Sequence, residues 1–168
     1  SRRALSKKQK KLIKINLKKF LFDKEKVKKS ENILEIGFGY GENLVNFSIN
    51  NPEKLIIGCE VYEPGIANLI NKLESKKINN VIIYPENIFY LFDKLKKNSI
   101  DQIFVLFPDP WPKKKHFKRR LVSKFLLDNI NRILKKGGEV FISTDSESYL
   151  STILIEFFSN KHFFWMNK

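Results

Sequence analysis

Five short apolar runs, at residues 33–36, 55–59, 81–84, 103–107 and 140–143, are separated by stretches whose apolar residues recur at helical spacing. Runs this short, bounded by polar or turn residues, read as buried strands; the stretches at 43–49, 64–73 and 121–134 read as helices. Strands joined through helices need right-handed crossovers, which give a mostly parallel sheet. The expected fold is therefore α/β, Rossmann-like and doubly wound, with helices on both faces. Lys135-Lys136-Gly137-Gly138 supplies a cationic helix end and a glycine stop before the fifth strand. A chain of 168 residues with 42% hydrophobic content buries one sizeable core and leaves no room for a second.

Ahead of the first strand, Ser6-Lys7-Lys8-Gln9 has the form of a capping box, and Leu12, Ile13, Leu17, Phe20 and Leu21 follow at helical spacing. A basic amphipathic helix over about residues 6–22 is expected, lying either on the sheet or on RNA. Residues 23–30 form a charged joint, so the chain divides into 1–29, a basic helix and joint, and 30–168, the main domain. The net charge of +14 is unevenly placed. Residues 1–29 hold thirteen Lys or Arg against Asp23 and Glu25, and 113–120 hold six more cations, so the remaining body is slightly acidic. A near-neutral core with two basic segments suits a partner rich in phosphate, nucleic acid before a membrane surface, because no apolar stretch approaches about 18 residues. Cys59, the only cysteine, sits in an apolar run and reads as a small core residue. With His116 and His162 far apart, no metal site is expected, and without a secretory segment or a disulfide framework the expected compartment is the cytoplasm.

The first strand runs straight into Gly37-Phe38-Gly39-Tyr40-Gly41-Glu42, a strand-to-helix turn that admits a ligand close to the backbone. A dinucleotide fingerprint would place glycine where Glu42 stands, and a pyrophosphate would meet the Glu42 carboxylate. Glu35 adds a second negative charge just before the loop. A ligand with a cationic part and no phosphate fits better, and S-adenosylmethionine, with its sulfonium, α-amino group and ribose diol, is such a ligand. Glu60 ends the second strand, where an acid accepts from ribose hydroxyls in this class of fold. Asn87 follows the third strand and offers both donor and acceptor to an adenine edge. Asp109 and Asp145 follow the fourth and fifth; Asp145, just before Ser146-Glu147, also suits a helix cap.

The segment after the fourth strand reads Phe107-Pro108-Asp109-Pro110-Trp111-Pro112-Lys113-Lys114-Lys115-His116-Phe117-Lys118-Arg119-Arg120. Taken alone, Asp-Pro is a turn and the cations a solvated face. Here the prolines end the strand and hold Asp109 at its carboxyl tip, where open α/β sheets bind ligands. Trp111 either stacks on a base or packs against the sheet.

Leu34-Glu35-Ile36-Gly37-Phe38-Gly39-Tyr40-Gly41, Gly58-Cys59-Glu60-Val61, the Pro-Asp-Pro-Trp segment with its basic tail, and Thr144-Asp145 together resemble the bacterial tRNA (guanine-N7)-methyltransferase family, over residues 3 to about 160. The Pro-Asp-Pro-Trp segment discriminates; the glycine loop alone says only methyltransferase. The resemblance implies methyl transfer from S-adenosylmethionine to N7 of guanosine 46 in the tRNA variable loop. It implies that Glu35, Gly37, Glu60, Asn87 and Asp109 bind the cofactor, that Asp109 is also the catalytic acid residue, and that Lys113 and Asp145 contact the substrate. Lys115, His116, Phe117, Lys118, Arg119 and Arg120 would meet RNA. Two departures stand out. The family has aspartate where this chain has Asn87, whose amide oxygen can still accept from the adenine amino group, which implies cofactor binding that is retained but weakened. Its pattern also continues beyond Lys168 with a threonine-containing segment that helps hold the substrate. A trimmed chain is thus expected, in keeping with its start at Ser1, with a sheet that lacks its last strand.

Other readings stay open at this stage. A non-catalytic RNA-binding module on the same fold would bind tRNA but no cofactor. A nicotinamide-dependent oxidoreductase is disfavoured by Glu42 and by the basic segments. A methyltransferase acting on an exocyclic amino group would share a turn of the Pro-Pro-Tyr type. The oligomeric state, monomer or homodimer, is open as well.

Overall fold

A computed structural model describes residues 6–28 and 31–166. The expected boundary at 29/30 and the start of the resemblance at Arg3 lie outside the described residues. Helix α1, Lys7–Phe20, opens with the expected capping box: Ser6 Oγ accepts from the Gln9 N–H, and Gln9 Oε1 accepts from the Ser6 N–H. A sheet of five parallel strands follows, β1 Asn32–Ile36, β2 Leu55–Cys59, β3 Val81–Tyr84, β4 Ile100–Leu106 and β5 Leu134–Ser143, in the order β3-β2-β1-β4-β5. Between and after them lie α2 Glu42–Asn50, α3 Glu63–Ser75, α4 Ile88–Phe92, α5 Lys124–Ile133 and α6 Glu147–Phe158.

The sheet is wound on both faces, because alternate residues of each strand point to opposite sides. Ile33, Ile56, Ile83 and Phe104 pack with Leu44 and Val45 of α2 and with Ile66, Leu69, Ile70 and Leu73 of α3. Leu34, Ile57, Ile82 and Ile103 pack with Leu91 of α4, Leu126 and Ile130 of α5, and Tyr149 and Ile153 of α6. Burial on both sides explains why β1, β2 and β3 read as unbroken apolar runs.

α1 turns its apolar stripe to this core rather than to a nucleic acid. Phe20 is buried, and Leu12, Ile13 and Leu17 pack beside it. Beyond the helix, Leu21 bridges to Ile83 and the Phe22 N–H donates to the Ile83 carbonyl at 2.8 Å, which covers the β3 edge. Lys7, Lys10, Lys11 and Lys18 stay exposed on the outer side.

The segment 135–138 departs from the expectation of a helix end. α5 stops at Ile133, since Leu134 already pairs with Ile100. Residues 135–138 then bulge out of β5 before Glu139 joins Gln102. Gly137, at φ 78°, makes the bulge possible, and Lys135 pairs with Asp101 at 2.8 Å. Among the described residues no helix is long and apolar enough to cross a membrane.

Candidate active site

Parallel strands bring all five carboxyl ends to one edge, and the register aligns them: Ile36 faces Cys59 and Val105, Cys59 faces Tyr84, and Val105 faces Ile142. Glu35, Glu60, Asn87, Asp109 and Asp145 all lie at or just past this edge. The structure links the first two closely and spreads the others along it.

Glu35 is buried at 2% exposure, and its Oε2 has no hydrogen-bond partner among the described residues. Burial raises its pKa from 4.5 to about 8, with the nearby Glu42 and Glu60 charges adding to the rise. This unpartnered carboxyl lies two residues before a glycine loop and, once ionised, can accept from a cationic donor. The loop bends through three left-handed glycines, Gly37, Gly39 and Gly41. Glu60 holds it in shape: Oε2 accepts from the Gly39 N–H at 2.9 Å, and Oε1 accepts from the Val61 and Tyr62 N–H groups at 2.7 and 2.9 Å. The carboxylate therefore already organises the loop, with lone pairs left over for hydroxyl donors.

Three residues of α3 that the sequence reading passed over support the loop. Gly65 lets α3 approach so closely that any side chain there would overlap the Gly39 carbonyl oxygen. Asn68 Nδ2 and Lys72 Nζ donate to the Tyr40 carbonyl at 2.8 and 3.3 Å. Lys72 also pairs with Glu42, whose pKa it lowers chiefly through that hydrogen bond; the carboxylate stays ionised and the Lys72 cation offsets its charge at the helix terminus. The legible signal was Gly65, a glycine inside a helix, where it costs about 1 kcal/mol without a packing reason.

Asn87 is exposed and caps α4, its Oδ1 accepting from the Phe89 N–H at 3.0 Å. The oxygen expected to address an adenine amino group thus accepts one hydrogen bond already, which leaves its second lone pair and the amide nitrogen for a ligand. Asp145 is exposed and is not the helix cap; Ser146 caps α6 instead. Asp109 is exposed within a stiff turn. Phe107 and Trp111, two residues to either side, adopt left-handed backbone at φ 50° and 41°. Each such residue costs about 1–3 kcal/mol, an expense concentrated at functional turns. Trp111 is half-buried: its ring meets the edge of His116 at 5.7 Å, and Arg119 lies over it at 5.0 Å.

Lys113 leads into a 3-10 helix, Lys114–Arg119, on which Lys114, Lys115, Phe117, Lys118 and Arg119 are exposed and His116 half-buried. Arg120 contradicts the expectation of an RNA contact. It is 5% exposed, with its guanidinium occupied by Pro110, Ser148 and Thr152.

Comparison with known proteins agrees with this geometry. A family model described as "Putative methyltransferase" matches residues 29–168. A tRNA (guanine-N(7)-)-methyltransferase of Neorickettsia sennetsu is 38% identical over 141 residues, covering 83% of this chain and 65% of that protein. The chain belongs to the methyltransferase family of that model. A bifunctional methyltransferase of Rickettsia prowazekii is 42% identical over 149 residues, 88% of this chain but 29% of that protein. The chain thus spans less than two thirds of the length of these curated relatives. Among solved structures, a precorrin-6y C5,15-methyltransferase from Geobacter metallireducens superposes with a TM-score of 0.62 at 16% identity, over 93% of this chain and 74% of that one. At that identity the likeness establishes the fold alone, a Rossmann-like α/β sheet.

Proposed function

We propose that this chain transfers a methyl group from S-adenosylmethionine to N7 of a guanine in tRNA, at position 46 of the variable loop. The observation that carries the reading is the buried, unpartnered Glu35 carboxyl two residues before a glycine loop, on the same strand-tip edge as the stiffened Asp109 turn and its basic 3-10 helix. The residues present fit the cofactor. Glu35 would receive its cationic amino acid part, the Gly37 loop would admit it against the backbone, Glu60 would accept from the ribose hydroxyls, and Asn87 would meet the adenine edge through its side-chain amide. When bound, S-adenosylmethionine supplies an electrophilic methyl on a sulfonium.

Guanine N7 carries a free lone pair, so no proton has to leave it before it attacks, and positioning outweighs base catalysis. Asp109 faces the positive charge that develops in the ring as N7 becomes alkylated, and it stabilises that charge from a fixed place. Lys113 and Asp145 hold the substrate nucleotide. Lys115, His116, Phe117, Lys118 and Arg119 bind the RNA, the cations through phosphates, giving affinity that declines with salt while folded tRNA shape supplies selectivity. Both reactant and cofactor support a cytoplasmic setting.

Position 46 is tested by methylating two transcripts of one tRNA, with guanosine or adenosine at 46, and mapping chain scission at 7-methylguanosine. Scission after position 46 in the first and none in the second supports the assignment; scission elsewhere overturns it. Asp109→Ala should abolish transfer while the melting temperature holds, since the side chain is exposed; wild-type turnover in this variant would remove Asp109 from the chemistry.

A further inference from the structure

The cation run 113–120 contains one member that turns inward. Arg120 Nε donates to the Pro110 carbonyl at 2.9 Å, Nη1 to the Ser148 carbonyl at 2.9 Å and to Thr152 Oγ1, and Nη2 to Ser148 Oγ at 2.9 Å. Its guanidinium carbon lies 3.7 Å from the centre of the Phe117 ring and 4.9 Å from that of Tyr149. None of the ion pairs among the described residues includes it. A buried cation served only by neutral oxygens and rings is an expensive way to gain stability, but a planar five-donor fork fixes direction in a way few side chains can.

What the fork joins is informative. Pro110 follows Asp109 beyond β4, and Ser148 lies in the first turn of α6, three residues past Asp145 beyond β5. Between residues 108 and 112, the Arg120 bond to Pro110 is the only hydrogen bond among the described residues. Three prolines stiffen that turn internally, and Trp111 meets His116 and Arg119 of the neighbouring 3-10 helix. The hydrogen-bonded attachment, to α6, is Arg120.

We propose that Arg120 is a positioning residue, a brace that ties the Asp109 turn to α6 and so sets the separation of Asp109 and Asp145 across the strand-tip edge. The proposal rests on the reading of those two acids as the groups that meet guanine. Arg120 touches neither RNA nor cofactor; it acts through the turn. Such a role separates from phosphate binding because it leaves tRNA affinity alone, and from general stability because it acts locally on the turn.

The test compares the wild type with Arg120→Lys, which keeps the charge without the fork, with Ser148→Ala, which removes one acceptor, and with Arg119→Ala as the phosphate-contact control. Three readouts are taken: kcat and KM on tRNA, the salt dependence of tRNA affinity, and acrylamide quenching of Trp111 in a Trp165→Phe background. For Arg120→Lys the brace predicts a kcat lower by about 10- to 100-fold, the scale of an ångström-sized misplacement. It also predicts unchanged KM, unchanged salt slope and easier quenching of Trp111. Ser148→Ala shifts the same readouts in the same direction by less. Wild-type kcat and quenching in Arg120→Lys would overturn the brace, and so would a salt slope shallower by about one, as expected for Arg119→Ala. If the wild type binds tRNA but methylates no guanine N7, the functional reading fails; the quenching arm still decides whether Arg120 holds the turn.

Discussion

At the scale of single residues, Glu35 carries the sharpest prediction. Its carboxyl pKa is raised to about 8 from an ordinary 4.5, so at neutral pH the free protein holds a proton there. A ligand ammonium beside it favours the ionised form, and binding of S-adenosylhomocysteine near pH 7 should release a proton. Calorimetry in two buffers of different ionisation enthalpy reads that release; it should fade above pH 8, where the group is already ionised, and vanish in Glu35→Gln. Linkage gives a second sign. The folded chain holds this proton more tightly than the unfolded one, so ligand-free stability falls as pH rises from about 4.5 through about 8, and Glu35→Gln should flatten that fall. Gly65 offers a steric counterpart. Gly65→Ala drives a methyl into the Gly39 carbonyl, and overpacking of this kind costs about 1–3 kcal/mol. Thermal unfolding should show that loss, and S-adenosylhomocysteine affinity should fall about tenfold or more as the loop shifts. The identities of the strand-tip acids were legible in the sequence, because a strand ending in an acid is a local pattern. The inward turn of Arg120 was not, because a run of cations gives no sign of which one meets a buried carbonyl.

At the scale of elements, the apolar runs located β2 and β3 to the residue, since burial on both faces leaves no polar interruption. β4 begins three residues earlier than its apolar run, at Ile100, because Asp101 and Gln102 are satisfied across the sheet by Lys135 and Glu139. That pairing is tertiary and left no trace in hydropathy. α6 escaped notice for a related reason: Tyr149, Ile153 and Phe157 pack inward, but Leu150, Ile155 and Phe158 are exposed, which blurs the helical period. The 3-10 helix Lys114–Arg119 has no buried residue of its own and exposes four of its cations. Lys118→Ala and Arg119→Ala should each weaken tRNA binding uniformly across tRNA species. Each should also flatten the salt dependence by about one counterion, measured by filter binding at several ionic strengths. A slope equal to the wild type in both variants would remove this helix from the interface.

At the scale of the whole molecule, charge and topology divide the work. The doubly wound sheet fixes five carboxyl ends on one edge, and acids gather there although the chain as a whole carries +14. Two clusters of basic residues flank that edge, one on the outer side of α1, beyond the β3 edge, and one on the 3-10 helix that follows β4. An acidic ligand edge flanked by cationic surfaces suits a cationic cofactor and a polyanionic substrate at once. The central claim is that this edge methylates guanine N7 in tRNA. Its most direct test is to incubate the chain with a tRNA transcript and S-adenosylmethionine bearing a deuterated methyl, digest the RNA, and identify the labelled nucleoside by mass spectrometry. The account predicts label in 7-methylguanosine alone; label in any other nucleoside, or none from a chain that binds both tRNA and S-adenosylhomocysteine, would contradict it.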